Sequence, residues 1–273
     1  MTLTEMRQLL KTRGILLTKS LGQNFLHDGN QLQRIIRAAD LKPTDQVLEI
    51  GPGLGPLTEL LIGKSSKVLA IELDHRLIEV LKERFLNAGN FELIHADALK
   101  FLESARRDWS HWKLVANLPY SVASSILVEL AEADGCPERI VATLQLEVAR
   151  RLMAQPDTKD YGVLTLLVQL RYQPGEMLRI PGGCFHPVPD VDSGCVTLIR
   201  RETPLLNHDQ ARLFKRVVKL ALSQRRKMML KLLKQNWPVE ELVEVFQQLG
   251  LDEKIRGEKV SLEQFVEMSK RLA

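Results

Sequence analysis

The stretch Val47-Leu-Glu-Ile-Gly-Pro-Gly-Leu-Gly55 decides the fold of this chain. An apolar run that starts with a β-branched residue and ends in glycines at every second position predicts a buried parallel strand that turns sharply into a helix. Gly51, Gly53 and Gly55 allow the backbone to approach a ligand closely. Pro56 follows the third glycine, so the pattern differs from the G-x-G-x-x-G of dinucleotide-binding proteins.

A second apolar run, 67–73, carries Glu72 near its end, 21 residues beyond Gly51. An acidic side chain in this position can accept hydrogen bonds from both ribose hydroxyls of an adenosine. A glycine-rich turn with a solvated Glu at a strand end is the simpler interpretation, and the glycines alone do not decide between the two. The combination of the turn and Glu72 favours a nucleoside cofactor.

Length and composition predict a soluble protein of one large and one small domain, because 273 residues with 45% hydrophobic content can bury a substantial core. No apolar run is long enough to cross a bilayer and no apolar N-terminal segment marks a secretory signal, so we expect a cytoplasmic protein without membrane contact. Three distant cysteines and six scattered histidines argue against disulfides and zinc. We therefore expect catalysis without a metal.

The predicted elements alternate as in an open α/β sheet. Five apolar strands separated by helices are predicted: the first begins at 47, and the others cover 67–73, 91–95, 112–116 and 139–146. A final pair of strands is predicted at 176–180 and 194–199. The strands stop at about Pro204. We therefore predict an α/β domain over residues 1–203 and a small all-helical domain over residues 204–273.

Two polar motifs lie at the carboxyl ends of predicted strands, where ligands of open α/β sheets bind. Asp97 can accept the amino group of an adenine, although an aspartate in this position by itself is more typical of a helix cap. Asn117-Leu-Pro-Tyr120 predicts a flat slot, in which Tyr120 stacks on an adenine while the Asn117 side chain and the Leu118 carbonyl accept its amine hydrogens. An Asn-initiated turn is the alternative, but the preceding motifs favour the slot.

Phe185 precedes His-Pro-Val-Pro189, in which two prolines favour an extended backbone. Its ring is either a second face of the base slot or a core aromatic at a loop edge. The sequence alone does not decide between these two hypotheses.

The C-terminal part is basic. Residues 209–236 carry nine Lys and Arg against the single acid Asp209, an excess of +8. We predict a helix over 209–237, with Arg225, Arg226 and Lys227 spread around its circumference. This charge exceeds what solubility requires and predicts a surface that binds RNA phosphates. A solvated face of a helical subdomain is the alternative.

Taken together, the motifs resemble those of the ribosomal RNA adenine dimethyltransferases over nearly the whole chain. The matching segments, in order, are S-L-G-Q-N-F-L (20–26), E-I-G-P-G-L-G (49–55), I-E-L-D (71–74), A-D-A (96–98), N-L-P-Y (117–120), K-D-Y-G (159–162), F-H-P-V-P-D-V-D-S (185–193) and S-Q-R-R-K (223–227). The last two resemble the branch that methylates two adjacent adenosines near the 3′ end of small-subunit (16S) ribosomal RNA. The resemblance implies a Rossmann-like S-adenosylmethionine-dependent methyltransferase sheet, no metal, and the small ribosomal subunit as partner; we expect a monomer.

The resemblance also assigns residues by position. It implies cofactor contacts at Asn24, Leu26, Gly51, Glu72, Asp97 and Asn117, and a target-adenine slot formed by Asn117, Tyr120 and Phe185. The chain departs from the family at Ser121-Val122-Ala123, where N-I-S is usual, and at Met228-Met229, where a threonine is common. The first departure concerns the fine positioning of the slot, and the second concerns the C-terminal helices.

Three other functions share part of this pattern. The sister branch, which methylates one adenosine of large-subunit (23S) ribosomal RNA and confers antibiotic resistance, is disfavoured by the 185–193 and 223–227 segments. A DNA adenine methyltransferase usually has two prolines or a leading acid in its tetrapeptide, and Leu118 argues against it. An RNA-binding assembly factor without catalysis is disfavoured by the intact Asn117 and Tyr120, although assembly and catalysis can coexist.

Overall fold

The computed structural model describes residues 1–17, 23–105 and 107–273. The chain forms two compact units, the first made of Met1–Ala149 with Gln173–Arg200 and the second of Arg150–Tyr172 with Arg201–Ala273. Residues 150–172, which the sequence-based boundary at 203/204 assigns to the first domain, therefore cluster with the C-terminal helices.

The first unit is built on the predicted α/β sheet. Its strands are β1 (Phe25–Leu26), β2 (Gln46–Ile50), β3 (Lys67–Glu72), β4 (Phe91–His95), β5 (Trp112–Asn117), β6 (Arg139–Gln145), β7 (Tyr172–Ile180, whose first residue belongs to the second unit), β8 (Phe185–His186) and β9 (Ser193–Arg200). The large sheet has the order β4-β3-β2-β5-β6-β9-β7, and β1 pairs with β8 in a separate two-stranded sheet. Within the part of the sheet ordered β4-β3-β2-β5-β6, neighbouring strands are parallel, and β9 is antiparallel to β6.

The strand order determines where a ligand can bind. From the central β2 the chain moves outward through β3 to β4, and then returns to place β5 on the other side of β2. In open α/β sheets this reversal opens a crevice beyond the carboxyl ends of the two central strands. The residues that follow β2 and β5, Gly51 and Leu118, therefore flank the expected site.

Amphipathic helices cover the sheet. Those of the first unit are α1 (Leu3–Thr12), α2 (Gly29–Ala39), α3 (Pro56–Ile62), α4 (His75–Arg84), α5 (Ala98–Ala105) and α6 (Ala123–Glu132), and α7 (Leu146–Leu152) crosses into the second. Helix α2 is capped by Asp28 and buries four apolar residues, Leu32, Ile35, Ile36 and Ala39. They share a core cluster with Val47 of β2 and Val115 of β5.

The second unit is helical. It contains α8 (Val163–Gln169), α9 (His208–Ala221), α10 (Met229–Leu233), α11 (Val239–Gln248) and α12 (Leu262–Arg271). Phe214 of α9 meets Phe265 of α12 edge to face, with ring centroids 6.5 Å apart. The predicted continuous helix over 209–237 is wrong, because α9 ends at Ala221 and α10 begins at Met229. The five residues 223–227 are all polar and exposed, so no apolar face is available to hold a helix there.

One acidic side chain is buried in the central strand. Glu49 is 1% exposed on β2, and its Oε2 has no hydrogen-bond partner among the described residues. Burial raises the pKa of Glu49 to about 8, with the nearby Glu72 carboxyl adding to the shift. Glu49 is therefore mostly protonated at neutral pH in the folded chain.

This predicts a pH dependence of stability that Glu49→Gln reduces. An unfolded Glu ionises near pH 4.5, whereas the folded one retains its proton to about pH 8. The favourable contribution is complete below pH 4.5 and is lost as the pH rises towards 8, by up to about 1.4 kcal/mol per pH unit. Urea unfolding at several pH values should show this slope in the wild type and a flatter one in E49Q.

The matched control is Glu92→Gln, an exposed carboxyl on β4 that pairs with Lys67. It should keep the wild-type slope. Parallel pH dependences for the wild type and E49Q would show that Glu49 does not carry this proton.

Candidate active site

The turn after β2 brings its backbone closer to neighbouring segments than side chains there would permit. Gly51 and Gly53 have φ angles of +70° and +61°, in the left-handed region that favours glycine. A Cβ on Gly51 would lie 3.3 Å from the Pro119 ring, and one on Gly53 would lie 2.7 Å from the Phe25 ring. The glycines therefore allow the Asn117–Tyr120 segment and the N-terminal segment to close on this turn.

A crevice of about 190 Å³ lies at the carboxyl ends of the parallel strands. Its walls include Gly51 after β2, Glu72 and Leu73 at the end of β3, Asp97 after β4 and Pro119 after β5. Three of the predicted cofactor-binding residues thus meet at the topological switch point. A larger cleft, of about 700 Å³, lies near the amino end of β5 and contains none of the predicted site residues.

Glu72 links the crevice to the glycine turn. Its carboxylate accepts hydrogen bonds from the backbone N–H groups of Gly53 at 3.2 Å and of Leu73 and Asp74, both at 2.9 Å. Burial raises the pKa of Glu72, and these hydrogen bonds oppose the shift. A carboxylate has about four acceptor positions, so one remains for a ligand in the crevice.

Asp97 caps helix α5 and also lies at the crevice. Its Oδ1 accepts from the N–H of Lys100 at 3.2 Å, and its carbonyl accepts from the N–H of Phe101 at 2.9 Å, as expected at the start of α5. Asp97 also lines the crevice. Because the cap uses only one carboxylate oxygen, the other remains for a ligand.

Asn117 carries an unsatisfied acceptor. Its Nδ2 donates to the Asn24 carbonyl at 2.8 Å, while its Oδ1 is buried without a partner among the described residues. A buried acceptor without a donor costs about 1 to 3 kcal/mol, so this atom marks a position where a donor can bind. The next residue, Leu118, donates its N–H to the Thr143 carbonyl at 2.9 Å, which fixes the tetrapeptide against β6.

Tyr120 is held by a residue that is distant in sequence. Its hydroxyl lies 2.5 Å from the Ser193 Oγ, and Ser193, at the start of β9, is fully buried. The Tyr120 side chain is half-buried, and burial raises the pKa of its phenol. This contact fixes the direction of the ring at the end of the tetrapeptide.

The structure does not bring Phe185 to the slot as a stacking face. Its ring is 1% exposed and belongs to the core cluster that also contains Leu26 and Ile35. Its backbone pairs with Leu26, as β1 runs antiparallel to β8. Of the two sequence-based hypotheses for Phe185, the core aromatic describes this arrangement, because α2 and β1 cover the ring.

Asn24 and Leu26 lie on the N-terminal segment that folds against the glycine turn. Asn24 contributes its carbonyl to Asn117, and Leu26 is buried beside a small cavity of about 20 Å³, which Glu49, Gly51 and Asn117 also line. Residues 20–22 of the S-L-G-Q-N-F-L motif fall outside the described residues.

Asp74 holds this N-terminal segment in place. Its carboxylate accepts from Gln23 Nε2 at 2.7 Å and from two guanidinium nitrogens of Arg76, at 2.8 and 2.6 Å. Arg76 also donates to the Leu16 carbonyl at 2.9 Å. The Arg76 guanidinium is the main reason why the pKa of Asp74 is lowered to about 2. A charged cluster beside Glu72 thus tethers the chain on both sides of 18–22.

The predicted RNA-binding residues lie in the turn between α9 and α10. Arg225, Arg226 and Lys227 are all exposed. Arg225 donates to the carbonyls of Lys159, at 2.5 Å, and Tyr161, at 3.1 Å, within the same unit. Arg225 therefore anchors the K-D-Y-G segment, while Arg226 and Lys227 present their charges to solvent.

Within the described ranges, no group of three or more His, Cys, Asp or Glu side chains is arranged to hold a metal ion. No helix in those ranges combines the length and apolar character that spanning a bilayer requires.

Sequence reasoning did not identify three contributors to the site. Ser193 is 73 residues from Tyr120, and no local pattern links them. Asp74 belongs to the I-E-L-D motif, but the motif does not indicate its hydrogen bond with Gln23. Glu49 did have a signal, since a charged residue in the middle of a buried strand is unusual.

The chain matches known proteins over most of its length. The family model described as "Ribosomal RNA adenine dimethylase" matches residues 15–273. The ribosomal RNA small subunit methyltransferase A of Pelotomaculum thermopropionicum is 40% identical over 276 residues, 96% of this chain and 94% of that protein. The protein of the same name from Geobacter metallireducens is 37% identical over 269 residues, 96% and 98% of the two chains.

Two solved structures also resemble this chain over most of its length. A dimethyladenosine transferase from Plasmodium falciparum has a TM-score of 0.77 at 26% identity, covering 89% of this chain and 95% of its own. The 23S rRNA methyltransferase ErmE has a TM-score of 0.71 at 30% identity, covering 91% and 99%. The Rossmann-like methyltransferase fold and the enzyme class predicted from the motifs are confirmed. The chain belongs to the ribosomal RNA adenine dimethylase family.

Proposed function

We propose that this protein transfers methyl groups from S-adenosylmethionine to the N6 amines of two adjacent adenosines near the 3′ end of 16S ribosomal RNA, during maturation of the small subunit. The observation that carries the proposal is the Asn117 Oδ1, a buried acceptor without a donor among the described residues; Asn117 lines the small cavity that Gly51 also lines. An exocyclic amine is a hydrogen-bond donor that can satisfy this oxygen. We further propose that the protein acts as a cytoplasmic monomer without a metal.

The crevice suits the nucleoside part of S-adenosylmethionine. The remaining acceptor position of Glu72 matches a ribose hydroxyl, and the free Asp97 oxygen matches the amino group of an adenine. Gly51 lines the crevice and its backbone admits close approach, and Asn24 and Leu26 border the same turn. When bound, S-adenosylmethionine supplies a methyl group on a sulfonium, which is already a strong electrophile.

The residues of the tetrapeptide then need only to orient the acceptor amine. The Asn117 Oδ1 and the Leu118 carbonyl would accept its two hydrogens, which localises the nitrogen lone pair, and the Tyr120 ring would stack on the base. After transfer, the methylated nitrogen is strongly acidic and would release its surplus proton. Placing the reacting atoms in line supplies most of the required rate enhancement. An amine within paired RNA is not accessible to this slot, so the adenosine must be flipped out or presented in a loop.

The small-subunit assignment rests on the curated relatives. The proteins cited above at 37% and 40% identity are named for the small subunit, whereas ErmE, at 30%, is named for 23S rRNA. The 185–193 segment, which supplies Ser193 to Tyr120, argues in the same direction. Methylation of 23S RNA remains the alternative to be tested.

The direct test compares small and large ribosomal subunits from cells that lack this protein. Incubation with the protein and labelled S-adenosylmethionine should label adenines near the 3′ end of 16S RNA, which primer extension and mass spectrometry of nucleosides can locate. Labelling of 23S RNA alone would overturn the assignment, and labelling of neither would overturn the proposed activity.

Substitutions at Glu72 and Tyr120 should separate donor binding from methyl transfer. Glu72→Ala should weaken S-adenosylmethionine binding by about 1.5 to 3 kcal/mol, the range for hydrogen bonds to a charged group. Tyr120→Ala should leave that affinity nearly unchanged and lower the transfer rate far more, because its ring should meet the target base. Calorimetry measures the first quantity and single-turnover labelling the second.

Tyr120→Phe is the matched control, since it keeps the ring and removes only the hydroxyl that contacts Ser193. It should retain more transfer activity than Tyr120→Ala. Equal losses of donor affinity and transfer in Tyr120→Ala would contradict its role, and unchanged affinity in a folded Glu72→Ala variant would remove Glu72 from the donor site.

Arg226 and Lys227 should contact RNA phosphates. The double variant Arg226→Gln/Lys227→Gln should bind the small subunit more weakly and reduce the log-log salt dependence by roughly 1 to 2 units, since each lost phosphate contact releases about one counterion fewer. Donor affinity should not change. A titration at several salt concentrations measures both quantities.

Arg225→Gln is examined separately, because its guanidinium holds the carbonyls of Lys159 and Tyr161. It should increase protease sensitivity around 155–161, an effect not expected of the double variant. Parallel salt plots with equal affinities for the wild type and the double variant would place the RNA elsewhere, for instance along Arg7, Lys11 and Arg13.

A further inference from the structure

The exposed face of α9 carries a row of cations that the function proposed above does not use. Arg212, Arg216 and Lys219 are exposed, and at about 100° per residue they fall within an arc of about 60°. Phe214, Val217, Val218 and Ala221 are buried on the opposite side of the helix. A rise of 1.5 Å per residue sets the three cations about 6 and 4.5 Å apart along the axis.

These cations lack the carboxylate partners that cations on a purely solvated helix face commonly have. Within the described residues, none of Arg212, Arg216 and Lys219 forms an ion pair with a carboxylate, whereas Lys270 and Arg271 on α12 of the same unit both pair with Glu267. The row is therefore uncompensated positive charge, and its natural complement is a polyanion.

An aromatic ring lies beside this row. The Arg216 guanidinium lies 5.0 Å from the centroid of the Trp237 ring, and it also donates a hydrogen bond to the Asn236 side chain. Trp237 is half-buried. The two contacts hold the guanidinium over the indole ring, and guanidinium and aromatic groups are both groups on which unpaired nucleic-acid bases stack.

We propose that this face, formed by Arg212, Arg216, Lys219 and Trp237 and here called the α9 face, binds a single-stranded segment of the substrate RNA. The cations contact successive phosphates, and a base stacks on Trp237 and Arg216. An acidic protein would use the cations but has no need of the ring, and a base inside a duplex presents no free face to it. The α9 face does not include the turn at 226–227.

The inference rests on the proposed function, which supplies RNA as the partner, and it is tested by binding without methyl transfer. Trp109 and Trp112 are only 2% and 4% exposed, so quenching of tryptophan fluorescence by added RNA reports mainly on Trp237. A short single-stranded RNA should quench the emission of the wild type, and the same strand paired with its complement should quench less. Trp237→Phe should remove the response.

The triple variant Arg212→Gln/Arg216→Gln/Lys219→Gln should bind the single strand more weakly and lower the log-log salt slope by about 2 units, as expected for three phosphate contacts on a single strand. Lys270→Gln/Arg271→Gln is the matched control, because those cations are already paired, and it should behave as the wild type. Unchanged S-adenosylmethionine affinity and circular dichroism show that each variant is folded.

Three results would overturn the proposal. The first is equal affinity and salt slope for the wild type and the triple variant, and the second is quenching that persists in Trp237→Phe. The third is a triple variant that binds naked RNA as the wild type does but binds the intact small subunit more weakly, which would indicate a protein partner. Failure of the proposed function is a separate outcome: loss of 16S methylation activity with intact, Trp237-dependent quenching would still support the α9 face.

Discussion

The close backbone approach at Gly51 and Gly53 is the constraint on which the first unit depends. A single added carbon would strike the Phe25 ring at one position and crowd the Pro119 ring at the other. Three segments that are far apart in sequence, the N-terminal segment, the turn after β2 and the Asn117–Tyr120 segment, can meet only because these residues have no side chain. Their meeting creates the crevice and sets the Asn24 carbonyl against Asn117.

The site that results is rich in acceptors. Glu72 and Asp97 line the crevice, and Asn117 and Glu49 line the small cavity, with Gly51 lining both. Burial raises the pKa of both glutamates, so the protein tolerates carboxyl groups here at an energetic cost. Such a surface is complementary to hydroxyl and amine donors and to positive charge. Those are the features of a sulfonium nucleoside and of an adenine amine, which links the electrostatics of the site to methyl transfer.

The second unit presents its positive charge in distinct ways. Arg225 uses its guanidinium to hold backbone carbonyls of 159–161, so part of the basic S-Q-R-R-K segment is structural. Arg226 and Lys227 remain at the surface of the turn, and the α9 face adds a row of cations beside an aromatic ring. Net charge predicts a polyanion as partner, but only the contacts of each side chain separate structural cations from those available to RNA.

The sequence by itself determined the alternation of strands and helices along the chain, the glycine turn, the acidic residues at the strand ends and the family, because each depends on local motifs, apolar periodicity and backbone freedom. Tertiary structure decided the rest. Phe185 is in the core because α2 and β1 cover it, and residues 150–172 join the C-terminal unit through contacts with helices distant in sequence. The chain turns at 223–227 because its polar side chains have no apolar face to bury. Tyr120 meets Ser193 across 73 residues, and such a pairing depends on how the strands assemble, which no local pattern encodes.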